Sequence, residues 1–313
     1  MRSTLVKMTS ESKSDLRDKI LELKRQRNAL ILVHNYQLGE VQDIADFLGD
    51  SLELSQKAAQ TDADVIVFCG VHFMAETASI LSPQKTVLLP DIQSSCLMAE
   101  MITADQLRKE KAQHPKAKVV CYVNSTAEVK AESDICCTSA NATKVVNSLS
   151  YTEEIIFVPD QYLGHYTSTQ TGRDLILWPG YCPSHARISG QDIKRLRAEY
   201  PNAKVVVHPE CRPEVIALAD EVGSTAGICR YAARDDVQEL IVGTEVGILH
   251  RLRKENPTKR FIPASEQAIC PHMKLITLDK VVRAMENMEP EVKVPEGIRE
   301  KARAAVERMM EVS

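Results

Sequence analysis

Apolar and polar positions along the chain form one pattern that occurs three times, at intervals of 86 to 89 residues. A polar stretch typical of a helix end is followed by a short β-branched run that stops at polar residues. The three copies are RQRNALILVHNY (25–36), HPKAKVVCYVN (114–124) and YPNAKVVVHPE (200–210). A second strand is predicted in DVIVFCG (64–70), EIIFVPD (154–160) and ELIVGTE (239–245), and a third ends at or next to Pro90, Pro179 and Pro263.

A cysteine follows the third predicted strand of every copy. Cys96, Cys182 and Cys270 are separated by 86 and 88 residues. Seven residues after each cysteine stands a residue type that caps helix N-termini, and an apolar residue follows four positions later. The predicted caps are Thr103, Ser189 and Thr277, and the apolar residues are Leu107, Ile193 and Val281. Three of the nine cysteines thus occupy one position of the repeat.

The alternation of strands and helices predicts the fold class α/β. We expect three homologous small three-layer α/β units with parallel sheets, arranged around a pseudo-threefold axis. Their predicted ranges are 1–102, 103–188 and 189–290, and the segment 291–313 is expected to pack on the first unit. The last two helices are predicted near 277–289 and 296–311. Functional residues of such sheets collect beyond the carboxyl ends of the strands.

The composition excludes several classes of function. Apolar residues make up 44% and charged residues 26% of the 313 residues, as in soluble globular proteins. The net charge is -4 and no basic tract is present, which argues against a nucleic-acid partner. No apolar run has the length of a signal-peptide core or a membrane span, so we expect a cytoplasmic protein without a membrane partner. The sequence contains no CxxC, GxGxxG, Walker A or HExxH motif.

If the three units surround a common axis, their cysteine loops present three thiolates to one point. Three thiolates suit a [4Fe–4S] cluster with one iron left open, and that iron can act as a Lewis acid toward substrate oxygen. The alternative is that these cysteines only pack within repeated loops. The other six are buried-strand residues or lack counterparts in the other copies, and no ligand role is predicted for Cys69, Cys121, Cys136, Cys137, Cys211 or Cys229.

Two further sets of polar residues occupy equivalent positions in the three copies. The first strands end in groups that offer acid–base capacity and directed hydrogen bonds: His34 and Tyr36, Tyr122 and Asn124, His208 and Glu210. Small hydroxyl residues stand where helices are expected to begin and are predicted to bind carboxylate or phosphate: Ser51, Ser139 and Thr225. For each residue taken singly, helix capping or solvation is the alternative.

The motifs VHNYQ, YVNS, TSANA, YCPSHARI, HPEC, GSTAGI and CPHMK, together with the three repeated cysteines, closely resemble the quinolinate synthase family. The resemblance spans nearly the whole chain. It implies three similar α/β domains around an oxygen-sensitive [4Fe–4S] cluster. The implied reaction condenses iminoaspartate with dihydroxyacetone phosphate to quinolinate, phosphate and water on the de novo route to NAD. An L-aspartate oxidase or dehydrogenase is implied as the upstream supplier. In two places the sequence departs from relatives: DIQSSC lacks the glycine that many of them have, and Cys270 stands alone where some of them have a CxxCxxC run.

The resemblance also implies roles for individual residues. It makes Cys96, Cys182 and Cys270 the cluster ligands. It makes the substrate-binding set His34, Ser51, Tyr122, Asn124, Ser139, His208, Glu210 and Thr225. Glu210 is the preferred general base, His208, Tyr122 and His185 are proton-relay candidates, and Tyr36 completes the catalytic set. Two other functions stay open from the residues alone: an iron–sulfur hydro-lyase acting on a hydroxy acid, and an iron–sulfur sensor that would need a partner-binding surface.

Overall fold

The computed structural model describes residues 12–312 of the chain. It contains three sheets, each with four parallel strands in the same spatial order: the unit's second strand at one edge, then the first, the third and the fourth. The prediction of three α/β units with parallel sheets is confirmed. Each sheet lies within one of the three predicted ranges.

The elements follow one another in the same order in all three units. The first unit contains α1 (Lys13–Gln26), β1 (Ala29–His34), α2 (Gly39–Gln42), β2 (Phe47–Gly49), α3 (Ser51–Gln60), β3 (Val65–Cys69), α4 (His72–Leu81), β4 (Thr86–Leu88) and a 3₁₀ helix (Ala99–Met101). The second contains α5 (Ala104–Gln113), β5 (Lys118–Tyr122), α6 (Ala127–Ala131), β6 (Ile135–Cys137), α7 (Ala142–Ser148), β7 (Ile155–Val158), α8 (Gln161–Thr171), β8 (Ile176–Leu177) and a 3₁₀ helix (His185–Arg187). The third contains α9 (Gly190–Glu199), β9 (Lys204–Val207), α10 (Pro213–Ile216), β10 (Glu221–Val222), α11 (Thr225–Ala232), β11 (Glu239–Gly243), α12 (Ile248–Glu255), β12 (Arg260–Pro263) and a 3₁₀ helix (Met273–Leu275). Two helices complete the chain, α13 (Leu278–Asn287) and α14 (Glu296–Glu311).

The central strands are apolar at successive positions because both of their faces are covered. All five residues of β3 are buried, and Ile31, Leu32 and Val33 of β1 have no exposed surface. The edge strands β2, β6 and β10 are absent from the sequence prediction. They have only two or three residues each, which is too short for a periodic pattern.

The predicted helix starts after the cysteines are observed in all three units. Thr103 caps α5 and Ser189 caps α9, and each side chain accepts a hydrogen bond from the backbone N–H three residues later. Thr277 occupies the same position before α13, but its hydroxyl binds the Asp279 carboxylate instead. The apolar residues four positions after these caps, Leu107, Ile193 and Val281, are fully buried.

The C-terminal segment contacts two units rather than the first alone. Residues 290–292 pair with the edge strand β4, where Val292 N–H donates to Val87 O at 2.8 Å. Helix α13 packs on α1, but α14 packs mainly on α6 and β6 of the second unit, and also on α4 of the first. Its buried residues, Ala302, Ala305, Val306 and Met309, form a stripe that needs this second surface. No helix among residues 12–312 is long and apolar enough to span a bilayer.

Candidate active site

A single cavity at the carboxyl ends of the strands brings together every site residue predicted from the sequence. It encloses about 890 Å³, part of which is open to solvent. Its lining includes thirteen predicted residues: His34, Tyr36, Ser51, Cys96, Tyr122, Asn124, Ser139, Cys182, His185, His208, Glu210, Thr225 and Cys270. All three units contribute, because the first strand and the cysteine loop of each unit end here.

The three repeated cysteines have the same local structure. Each stands three residues before a 3₁₀ helix. Burial raises the pKa of each thiol, and backbone N–H groups at the start of that helix oppose the shift: those of Met98 and Ala99 for Cys96, of His185 for Cys182, and of His272 and Met273 for Cys270. These three are partly exposed, whereas the other six cysteines are buried.

The electrostatics of these thiols fit a bound metal cluster. Desolvation raises the pKa of Cys96 to about 12 and raises the pKa values of Cys182 and Cys270 above the usual value for a thiol. After burial and the Glu210 charge, Cys96 and Cys270 also act to raise the pKa of Cys182. A metal can displace such protons, and N–H donors to sulfur tune iron–sulfur clusters. The three thiols lie on separate loops that line one cavity, and together they could hold an iron–sulfur cluster.

His34 and His208 are held as the same neutral tautomer. The Nδ1 atom of His34 accepts from Tyr36 N–H at 3.2 Å, and Nδ1 of His208 accepts from Glu210 N–H at 3.3 Å. These hydrogen bonds assign the ring proton to Nε2 in both residues. Burial lowers the pKa of each histidine to about 3, although the Glu210 carboxylate opposes the shift. Both rings are therefore neutral donors, and Nε2 of His208 lies 3.1 Å from Ser139 Oγ.

Glu210 lies at the centre of the polar side chains of the cavity. Its Oε1 accepts from Tyr122 Oη at 2.5 Å and from Asn124 Nδ2 at 3.5 Å, and its Oε2 lies 2.8 Å from His185 Nδ1. Burial acts to raise the pKa of Glu210, but His185, His208 and the Tyr122 hydroxyl outweigh it and hold the pKa below its usual range. Burial and the Glu210 charge raise the pKa of Tyr122 well above its usual value. The pair is therefore a carboxylate facing a neutral phenol.

Thr244, at the end of β11, extends this arrangement to the first unit. Its hydroxyl contacts Tyr36 Oη and lies 2.8 Å from His185 Nε2. Burial raises the pKa of Tyr36 well above 10, so it also stays a phenol. A continuous series of polar contacts thus runs from Tyr122 through Glu210, His185 and Thr244 to Tyr36.

A buried ion pair fixes the loop of the third cysteine. Glu245 accepts from Cys270 N–H at 3.0 Å and from Lys274 Nζ at 2.9 Å, and its other oxygen accepts from Gly247 N–H at 2.7 Å. Lys274 also donates to the Tyr36 carbonyl oxygen. A Cβ on Gly247 would lie 2.6–2.7 Å from Lys274, Glu245 and Tyr36 atoms, so only glycine leaves room for the pair.

The three hydroxyl residues differ in local structure. Ser51 and Thr225 are the first residues of α3 and α11, whose caps are Asp50 and Ser224. The Asp50 carboxylate already accepts two backbone N–H groups of α3. An anion bound at this helix end could therefore contact mainly the Ser51 hydroxyl. The prediction that a helix begins at Ser139 is wrong, because α7 begins at Ala142 after a turn closed by Thr138 and Asn141. Thr225 Oγ1 accepts from Asn35 Nδ2 at 2.8 Å.

Comparison with known proteins agrees with this geometry. The family model for NadA, the quinolinate synthetase A protein, matches residues 18–311. The chain belongs to this family. A quinolinate synthase of Dehalococcoides mccartyi strain CBDB1 is 65% identical over 294 residues, which cover 94% of this chain and 97% of that protein. Quinolinate synthases of Methanosarcina barkeri strain Fusaro and Geobacter metallireducens strain GS-15 are 52% and 54% identical over 96% and 95% of this chain, and over 98% and 97% of their own lengths.

The sequence prediction for this quinolinate synthase family member did not include Asp50 and Glu245, which line the cavity, or Thr244, which contacts Tyr36 and His185. Of these, Thr244 and Glu245 directly follow β11, which is the position beyond a strand end that singled out His208 and Glu210. The signal was therefore present in ELIVGTE. It was weaker because the equivalent positions after β3 are Gly70 and Val71, which carry no polar side chain.

Proposed function

We propose that this chain condenses iminoaspartate with dihydroxyacetone phosphate to give quinolinate, phosphate and water in the de novo route to NAD. Membership of the quinolinate synthase family supports this, and one structural observation carries it. Tyr122, Glu210, His185 and Tyr36 line the same cavity as the three repeated cysteines, and Thr244 links His185 to Tyr36. The protein would be a transferase of the cytoplasm. An L-aspartate oxidase or dehydrogenase would supply its unstable imine substrate.

The polar groups of the cavity match the charges of these substrates. Iminoaspartate carries two carboxylates and dihydroxyacetone phosphate carries a phosphate, so both need hydrogen-bond donors. His34 and His208 each direct an Nε2–H group that their tautomers fix, and Ser51, Ser139 and Thr225 add hydroxyls. The Oδ1 atom of Asn124 is buried without a hydrogen-bond partner in the described residues, so it can accept from a substrate hydroxyl or imine N–H.

The proton transfers of the condensation need both an acceptor and donors. Glu210 is an ionised carboxylate at neutral pH because its pKa is held low, and it is the acceptor. Tyr122 and Tyr36 keep their protons because their pKa values are raised, so they can donate to oxygen atoms that leave as water. Tyr122 Oη is hydrogen-bonded to Glu210 Oε1. A proton taken up by the carboxylate therefore stays within hydrogen-bond distance of Tyr122, the proposed donor to the leaving oxygen.

We further propose that Cys96, Cys182 and Cys270 bind a [4Fe–4S] cluster and leave one iron without a protein ligand. Backbone N–H groups near each sulfur, which favour the thiolate, support this assignment. When bound, the open iron supplies a Lewis acid for a substrate oxygen. Glu210 and His185 lie close to the Cys182 sulfur, so the acid–base groups are next to that position.

The test is quinolinate formation by reduced protein purified without oxygen and incubated with both substrates. Glu210→Gln keeps the shape of the side chain, so iron content should stay normal while turnover per cluster falls by at least roughly 10²-fold. Glu214→Gln, an exposed glutamate on α10, is the matched control and should turn over normally. Absence of quinolinate from the unsubstituted, cluster-loaded protein would reject the proposal. Dehydration of a hydroxy acid would then favour the hydro-lyase.

A further inference from the structure

The cavity holds a second arrangement of metal donors that uses only one of the three repeated cysteines. Donor atoms of Cys182, His185 and Glu210 all lie within 4.8 Å of one another. Among residues 12–312, no other group of three or more His, Cys, Asp or Glu side chains comes this close. Cys96 and Cys270 are outside the group, so its geometry suits a single ion rather than a cluster that joins three cysteines.

The His185 ring is oriented as a metal ligand would be. Its Nε2 lies 2.8 Å from Thr244 Oγ1, and its buried Nδ1 faces the Glu210 carboxylate. That Nδ1 atom lies 2.8 Å from Glu210 Oε2, so one cation can contact both atoms. A bound cation would take the place of the proton that lies between them in its absence.

Each of the three donor residues also contacts a second group that can fix its orientation. Thr244 contacts His185, Tyr122 and Asn124 bind the other oxygen of Glu210, and the backbone N–H of His185 lies where it favours the Cys182 thiolate. Partners of this kind fix metal ligands in their binding orientation, and their loss costs affinity.

We propose that, in protein without a cluster, Cys182, His185 and Glu210 bind one Zn²⁺ ion whose fourth position faces the cavity. Thiolate, imidazole and carboxylate are each zinc ligands, and three protein ligands with an open fourth position are common for this ion. Ca²⁺ and Mg²⁺ prefer sets made only of oxygen, so they are poor competitors here. The inference does not rest on the proposed reaction, since the donor atoms are in place whatever substrate the cavity takes.

The ion and the cluster would exclude each other. Both need Cys182, and the ion also occupies Glu210, the proposed base. Protein that binds zinc before its cluster is assembled could therefore neither bind the cluster through Cys182 nor transfer protons through Glu210.

The test is Co²⁺ titration of the full chain after its iron has been removed anaerobically with a chelator and its thiols have been reduced. We expect one Co²⁺ per chain, visible bands of four-coordinate cobalt, and a charge-transfer band of the intensity given by a single thiolate. Zn²⁺ should displace the cobalt and Mg²⁺ should not. Circular dichroism of every sample checks that the protein is folded, and quinolinate is not measured, so the outcome is independent of the proposed function.

Variants separate the single-ion site from a site made of three cysteines. Cys182→Ser, His185→Gln and Glu210→Gln should each weaken Co²⁺ binding, and Cys182→Ser should remove the charge-transfer band. Cys96→Ser and Cys270→Ser are the matched controls and should bind as the parent does. Thr244→Val, which keeps all three ligands, should weaken binding roughly 10- to 100-fold. A charge-transfer intensity of two or three thiolates, equal loss in the Cys96 and Cys270 variants, or no stoichiometric binding by the folded parent would each overturn the proposal.

Discussion

Replacing Glu245 by glutamine should destabilise the protein far more than loss of an exposed ion pair. Glu245 has a fully buried side chain, and its two oxygens accept from Cys270 N–H, Gly247 N–H and Lys274 Nζ. Glutamine offers only one oxygen. Its NH₂ group must face one of the two backbone N–H groups, which then has no acceptor.

The magnitude follows from these contacts. A buried N–H without an acceptor costs about 1–3 kcal/mol, and removing one partner of a buried ion pair costs about 3–5 kcal/mol in total. The Lys274 side chain is 20% exposed and can turn toward water, so we take the lower end. Glu245→Gln should therefore lower the free energy of unfolding by about 3 kcal/mol.

The assay is urea unfolding of the cluster-free protein, followed by circular dichroism. The matched control is Glu307→Gln, which removes an exposed pair with Arg303 on α14 and should cost under about 0.5 kcal/mol. A double-mutant cycle with Lys274→Met isolates the interaction of the pair itself. If Glu245→Gln and Glu307→Gln unfold at the same urea concentration, the ion pair does not stabilise the Cys270 loop and the reasoning fails.

Three further predictions concern other parts of the molecule. Burial lowers the pKa values of His34 and His208 in the folded protein from 6.5 to about 3, so between these pH values only the unfolded chain binds the two protons. Their contribution to stability is complete above pH 6.5. On acidification below that pH, the free energy of unfolding falls by up to about 1.4 kcal/mol per pH unit for each histidine. Urea unfolding at several pH values should show a smaller slope for His34→Gln, and an unchanged slope would contradict the shift. Cys96→Ala should lose iron and the brown absorbance while Cys69→Ala keeps both; equal loss would mean that the repeat does not identify the ligands. Gly180→Ala should cost about 1–3 kcal/mol, because its Cβ would strike the Pro159 carbonyl oxygen, whereas Gly297→Ala, in open space, should not destabilise.

The parts of the fold that could be predicted are those that occur three times. Three copies of one apolar run revealed β1, β5 and β9, and the equal spacing of Cys96, Cys182 and Cys270 placed three loops together before any contact was known. The short strands β2, β6 and β10 could not be predicted, since pairing with a neighbouring strand defines them rather than their own pattern. The packing of α14 on α6 was missed because both helices have apolar stripes that any unit might cover.

The candidate site was predictable in its membership but not in its chemistry. Repeat positions were enough to choose residues such as His34 and His208. Their tautomers depend on backbone N–H groups two residues later, whose direction only the folded loop sets. Thr244 matters through two contacts to other units, with Tyr36 and His185, and no sequence pattern records such contacts.

The position of the last two helices affects how the chain folds during synthesis. Helix α13 covers α1 and α14 covers α6, yet both helices are made only after all three sheets. Synthesis proceeds at about 5–20 residues per second, so the first unit leaves the ribosome on the order of ten seconds before the helix that shields α1. During that interval the apolar faces of α1 and α6 are uncovered in the nascent chain. These two surfaces are where a chaperone would bind, and where newly made chains would aggregate when translation is slow.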